Sequence, residues 1–140
     1  MWSFQHSVEC PLSRDQAWKF WSNVDNWTKV DPAVEWATLN GPFIAGTRGT
    51  TKPRGSEPNQ WVLTNVDDGR TATIEITLPG ACVRFRWLFE DTEGGGSKIT
   101  QIASLDGERA REHEEGTRAL EEGIPAGMRK LLEGIIGSVQ

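Results

Sequence analysis

From Trp2 to Cys10 the chain alternates, with Trp2, Phe4, His6, Val8 and Cys10 on one side and Ser3, Gln5, Ser7 and Glu9 on the other. A period of two with one apolar face predicts a half-buried strand, which Pro11 ends. Ser13 then offers a helix N-cap, with Gln16 three residues on to complete a capping box and Leu12 placed to staple onto Ala17. At about 100° per residue, Ala17, Trp18, Phe20, Trp21 and Val24 fall within a stripe of roughly 160°, so this short helix is apolar on one side. Asp25 or Asn26 is placed to cap a second short helix bearing Trp27 and Val30. Asp31-Pro32 stops it, because a residue before proline avoids the helical region.

From there to residue 106 the period is two again. VEWATL (34–39) and TRGTTK (47–52) read as strands, and PRGSEP (53–58) as a loop, since two prolines bar it from a central strand. QWVLTNV (60–66) and RTATIEITL (70–78) flank Asp67-Asp68-Gly69, a hairpin turn signal. After Pro79-Gly80, ACVRFRWLFE sets Val83, Phe85, Trp87 and Phe89 against Arg84, Arg86 and Leu88. KITQIASL follows the glycine-rich tip DTEGGGS. The last segment returns to a helical period, with Leu120, Ile124, Met128, Leu131, Leu132, Ile135, Ile136 and Val139 in one stripe. Pro125 interrupts it and should kink or divide the helix. The expected fold is α+β: seven antiparallel strands in a curved sheet, a long C-terminal helix covering one face, and two short helices after the first strand.

Composition narrows the function classes. At 140 residues, one domain spanning 1–140 is the expectation. A net charge of −5 with scattered basic residues argues against nucleic acid as partner. No apolar run reaches the ~20 residues that span a bilayer, and the N-terminus lacks a signal-peptide pattern, so a cytoplasmic location is expected. Cys10, Cys82, His6 and His113 show no metal-ligand spacing; no metal and no cofactor are expected. There is no Gly-x-Ser-x-Gly elbow and no phosphate-binding glycine loop.

Three tryptophans, Trp18, Trp21 and Trp27, crowd into ten residues. Each ring carries ~150–250 Å² of surface, more than the docking of a short helical pair requires. Trp18 points to the side of the stripe and reads as core, whereas Trp21 and Trp27 stand between core and cavity wall, as does Trp87 with Phe85 beside it. His6 shares the buried side of its strand, either as a structural histidine with a hydrogen-bond partner or as a polar handle that anchors a carbonyl or moves a proton. His113, in the run REHEE, is expected in solvent, and Arg84, Arg86, Glu35 and Glu75 are expected on the outer face.

The segments CPLSRDQAWKFWSNVDNWTKVDP, LNGPFIAGT and ITQIASLDG…EEGIPAGMRKLLEGI, with the element order, resemble the START-like superfamily of helix-grip, Bet v 1-like (SRPBCC) proteins. The first and last segments are most similar to its polyketide cyclase/dehydrase-like branch. The resemblance implies a cavity between sheet and long helix that takes hydrophobic or aromatic molecules. The residues expected to line it are Trp21, Trp27, Ile74, Ile76, Phe85, Trp87, Met128, Leu131 and Leu132. It also leaves open an enzyme that cyclises or dehydrates a polyketide-like substrate, with His6 as its acid–base candidate, and a co-chaperone-like docking module. The expected partner is a small hydrophobic or aromatic molecule, and the expected state a monomer or homodimer.

Overall fold

The computed structural model describes residues 2–139. In chain order the elements are β1 (Trp2–Cys10), α1 (Arg14–Trp21), α2 (Asp25–Val30), β2 (Val34–Leu39), β3 (Arg48–Pro53) and β4 (Asn59–Asp67). There follow β5 (Thr71–Leu78), β6 (Ala81–Asp91), β7 (Ser97–Asp106), α3 (Ala110–Thr117) and α4 (Leu120–Gly137). The seven strands form one antiparallel sheet in the order β1-β7-β6-β5-β4-β3-β2. Neighbouring strands are thus joined by hairpins, except that β1 crosses over to pair with β7. No helix among the described residues is long and apolar enough to cross a membrane.

Register settles which side of each strand faces inward. His6 pairs with Gln101, Gln101 with Trp87 and Trp87 with Ala72, so these four side chains share one row across the sheet. The parallel row Phe4, Ala103, Phe85, Ile74 and Leu63 is apolar throughout. Both rows belong to the inner face, where Leu63, Ala72, Phe89, Ile99, Ala103 and Leu105 are buried. Arg84 and Arg86 accordingly point outward. Arg84 lies 2.6 Å from Asp106 and 3.3 Å from Glu75, a chain of charges spanning three strands.

The helix termini show both what local signals achieve and where they fail. Ser13 forms the expected capping box: its hydroxyl accepts from the Gln16 amide at 3.2 Å, and Gln16 accepts from the Ser13 amide at 3.2 Å. The second helix is capped differently from expectation. Neither Asp25 nor Asn26 caps it; Asn23 accepts the Asp25 amide through its side chain at 3.1 Å, while Asn26 turns back to the Phe20 carbonyl at 2.9 Å. The C-terminal helix does divide, but before the proline. The break lies at Arg118 and Ala119, where Glu121 and Glu122 bond three residues back instead of four, and Pro125 sits inside α4. His113, expected in solvent, donates to the Pro79 carbonyl at 2.8 Å and ties α3 to the β5–β6 turn.

Glycines fix two close approaches. A side chain on Gly49 would overlap the Trp61 ring lying across it, and one on Gly134 would overlap Val30 and crowd Phe20. The second approach lets α4 settle against the α1–α2 pair. Along the rest of α4, Gly123 and Gly127 face open space.

Candidate functional site

α4 rests on β1, α2 and α1. It is therefore held at its flanks, and between it and strands β2 to β7 a hollow of about 470 Å³ remains. Four tryptophans form much of its wall: Trp21 from α1, Trp27 from α2, Trp61 from β4 and Trp87 from β6. Their rings run in a continuous series, with centroids 5.3 Å apart for Trp61–Trp27, 6.1 Å for Trp27–Trp21 and 4.9 Å for Trp21–Trp87. Such tilted contacts fix ring orientation, so the wall is rigid without being filled. Trp18 stands behind this series, edge-on to Phe89 at 5.2 Å, with its indole nitrogen bonded to Asp68 at 3.0 Å. It is core and does not line the hollow.

Of the residues expected on the wall, Trp21, Trp27, Ile74, Ile76, Phe85, Trp87, Met128 and Leu131 line the hollow. Leu132 does not; it packs at the margin of the core, about 100° round the helix from Leu131. His6 is also absent from the wall. Alternation identified its face correctly, but β1 is an edge strand against which α4 packs, and no β1 residue reaches the hollow. The residue that does reach it on that row is the register neighbour of His6, Gln101.

Gln101 is the principal residue that sequence reasoning missed. It is 8% exposed and makes no side-chain hydrogen bond among the described residues. The only fully enclosed side-chain nitrogen or oxygen without a partner among the described residues is Arg14 Nε. The Gln101 amide is therefore not sealed in protein, and the space it meets is the hollow. The same reasoning applies to Trp21, a residue 3% exposed whose indole N–H has no partner among the described residues. By contrast, Trp27 donates to the Trp21 carbonyl at 2.7 Å and Trp61 to Thr51 at 2.9 Å. The signal for Gln101 was available as a glutamine in the apolar series Ile99, Gln101, Ala103, Leu105.

Among the described residues Asp31 is the one ionisable residue on the wall. It is half-buried after the last turn of α2, where one carboxylate oxygen accepts the Ala33 amide at 2.9 Å. Among the described residues no group of three or more His, Cys, Asp or Glu is arranged to hold a metal ion. Outside the hollow, burial pushes the Cys82 thiol up to about 11, and its hydrogen bond to Glu75 at 3.2 Å adds to the effect. That thiol is a poor nucleophile. The hollow thus offers indole faces, aliphatic walls, uncharged N–H groups and one carboxylate.

Solved structures share this architecture at low identity. TTHA0849 from Thermus thermophilus superposes with a TM-score of 0.76 at 12% identity, over 99% of each chain. Ara h 8.0201 gives 0.67 at 15% identity, over 99% of this chain and 97% of that one. Norcoclaurine synthase from Thalictrum flavum, in complex with dopamine and hydroxybenzaldehyde, gives 0.75 at 13% identity, over 99% of this chain and 88% of that one. The fold is the Bet v 1-like, helix-grip α+β fold. No curated protein matches the sequence. The model of one family, described as polyketide cyclase / dehydrase and lipid transport, matches residues 1–136, and the chain belongs to that family.

Proposed function

We propose that this protein binds a small hydrophobic or aromatic molecule in the hollow between its sheet and α4. One observation carries the reading: about 470 Å³ of space walled by four indoles, Phe85 and aliphatic side chains, with the nearly buried Gln101 amide unpartnered beside it. Small-molecule sites have volumes of roughly 300–1,000 Å³, mostly apolar walls and a few placed polar groups. Burial of a flat ring there gains about 25 cal/mol per Å² of apolar surface, and Gln101 supplies direction. The family description, which includes lipid transport, is in keeping with such cargo.

The test is a thermal-shift panel of neutral bicyclic aromatics against hydrophilic compounds of equal size. Binding predicts a melting temperature that rises with concentration of the aromatics alone. A panel without any shift, repeated without effect on tryptophan fluorescence, defeats the proposal.

A second reading, cyclisation or dehydration of a polyketide-like substrate, draws on the family description. Proton transfer from the wall would fall to Asp31, with the indoles and Gln101 shaping the substrate. If so, Asp31→Asn abolishes turnover and His6→Ala spares it; the reverse pattern refutes this assignment. Docking of another protein has less support. The large apolar side chains exposed among the described residues, Trp36, Ile44 and Val139, lie on three separate segments.

A further inference from the structure

The charge pattern of the hollow narrows the cargo further, on the assumption that the binding reading above holds. Among the described residues Arg, Lys and His are missing from the wall, so none of them there neutralises a carboxylate or phosphate group. The formal charge present is that of Asp31, on the segment that follows Trp27 by one helical turn: the Asp31 amide bonds to the Trp27 carbonyl at 3.1 Å. Asp31 makes no salt bridge among the described residues, and the backbone contact with Ala33 engages one of its two oxygens. Of the nearby cations, Arg54 from the turn after β3 donates to the Pro32 carbonyl at 2.7 Å, and neither it nor the exposed Lys29 of α2 pairs with Asp31 among the described residues. On the same wall are the rings of Trp27 and Trp61, 5.3 Å apart, and indole faces attract organic cations. The other polar groups on the wall without a side-chain partner among the described residues, the Gln101 amide and the Trp21 N–H, are uncharged.

We infer that the hollow selects a lipophilic amine over the corresponding carboxylic acid: an apolar aromatic body among the indoles, and a protonated nitrogen at Asp31. The preference has two sources. An ammonium group gains both the carboxylate and the ring faces, whereas a carboxylate would be brought out of water towards a like charge with no base to meet it. Asp31 is only half-buried, so solvent screens part of each effect.

The experiment compares 2-(2-naphthyl)ethylamine, 2-(2-naphthyl)ethanol and 2-naphthylacetate by fluorescence titration at neutral pH and low salt. The expected order is amine, alcohol, acid, with the amine about tenfold tighter than the acid, that is ~1.4 kcal/mol. In Asp31→Asn the amine-to-alcohol ratio should collapse towards one, and in the unaltered protein it should shrink as salt is raised. The asparagine can keep the contact to Ala33, and a melting curve shows whether the variant folds. Should it not fold, the salt series on the unaltered protein still decides. Equal affinity for amine and acid, tighter binding of the acid, or an amine advantage indifferent to both Asp31 and salt overturns the inference while leaving binding itself intact. If none of the three binds, the binding reading fails and takes the inference with it.

Discussion

Gly127 lies inside α4, on the wall of the hollow, and a side chain added there meets nothing within 4 Å. Gly127→Leu therefore tests the space directly, because the sign of its effect depends on whether that space is empty. Replacing a helix-interior glycine by leucine recovers about 0.8 kcal/mol of helix propensity. Half-burying the new side chain among Ile124, Leu131 and the indoles adds about 1 kcal/mol. The expected gain is about 2 kcal/mol, which for a chain of this length corresponds to a melting temperature higher by about 8 °C. Were the region already packed, the same change would overpack it and cost about 1–3 kcal/mol. Urea and thermal denaturation of both proteins, free of ligand, give the comparison. A variant less stable than its parent by about 1 kcal/mol or more would show that the hollow is not available space, and the argument for cargo would lose its foundation.

Other consequences can be checked in the same preparations. Gly134→Ala, seven residues further along the same helix, should lower stability by about 1–3 kcal/mol, since the methyl group would strike Val30; unchanged denaturation curves would contradict the close approach of α4 to α2. Gln101→Leu should raise stability by about 1 kcal/mol, because it removes a nearly buried amide that lacks a partner, and should weaken cargo bearing a hydrogen-bond acceptor more than plain hydrocarbons. A loss of stability on that change would mean that Gln101 is bonded within the protein. Cys82 should react with thiol reagents at pH 8 about a hundredfold more slowly than an ordinary thiol, as its pKa stands at about 11 against 9.0. Between those two values the unfolded chain loses the thiol proton while the folded one keeps it, so stability should fall as pH rises through that window, and Cys82→Ser should flatten the fall.

Much of the fold was legible because local and global signals agree. The alternation of β1, the turn residues between β4 and β5, the Ser13–Gln16 box and the stripe of α4 each specify their element from a few neighbouring residues. The cap of α2 was not legible: Asn23, Asp25 and Asn26 are all competent caps, and packing of Trp27 against Trp21 selects among them. The break in the terminal helix was misplaced for a related reason. Pro125 forbids one hydrogen bond, yet α4 runs through it, and the break falls instead where Glu121 and Glu122 bond three residues back.

The site divides along the same line. Inner-face residues of β5 and β6 followed from alternation, because a period of two leaves only two faces to choose between. That His6 faces inward was equally legible. That it stands too far along the sheet to reach the hollow depends on β1 pairing with β7 at an edge and on α4 lying over it, which are contacts about a hundred residues apart in sequence. Leu131 and Leu132 are likewise neighbours in one stripe, and only the way α4 is turned about its axis on its flanking supports decides which meets the open space.

The most direct test of the account is a titration of tryptophan fluorescence with a neutral, water-soluble naphthalene derivative, on the unaltered protein and on Gly127→Leu side by side. With Trp21, Trp27, Trp61 and Trp87 around the hollow, the account predicts saturable quenching at one molecule per chain, weakened at least tenfold by the leucine. No saturable response in the unaltered protein, or one that the filled variant reproduces in full, would contradict it.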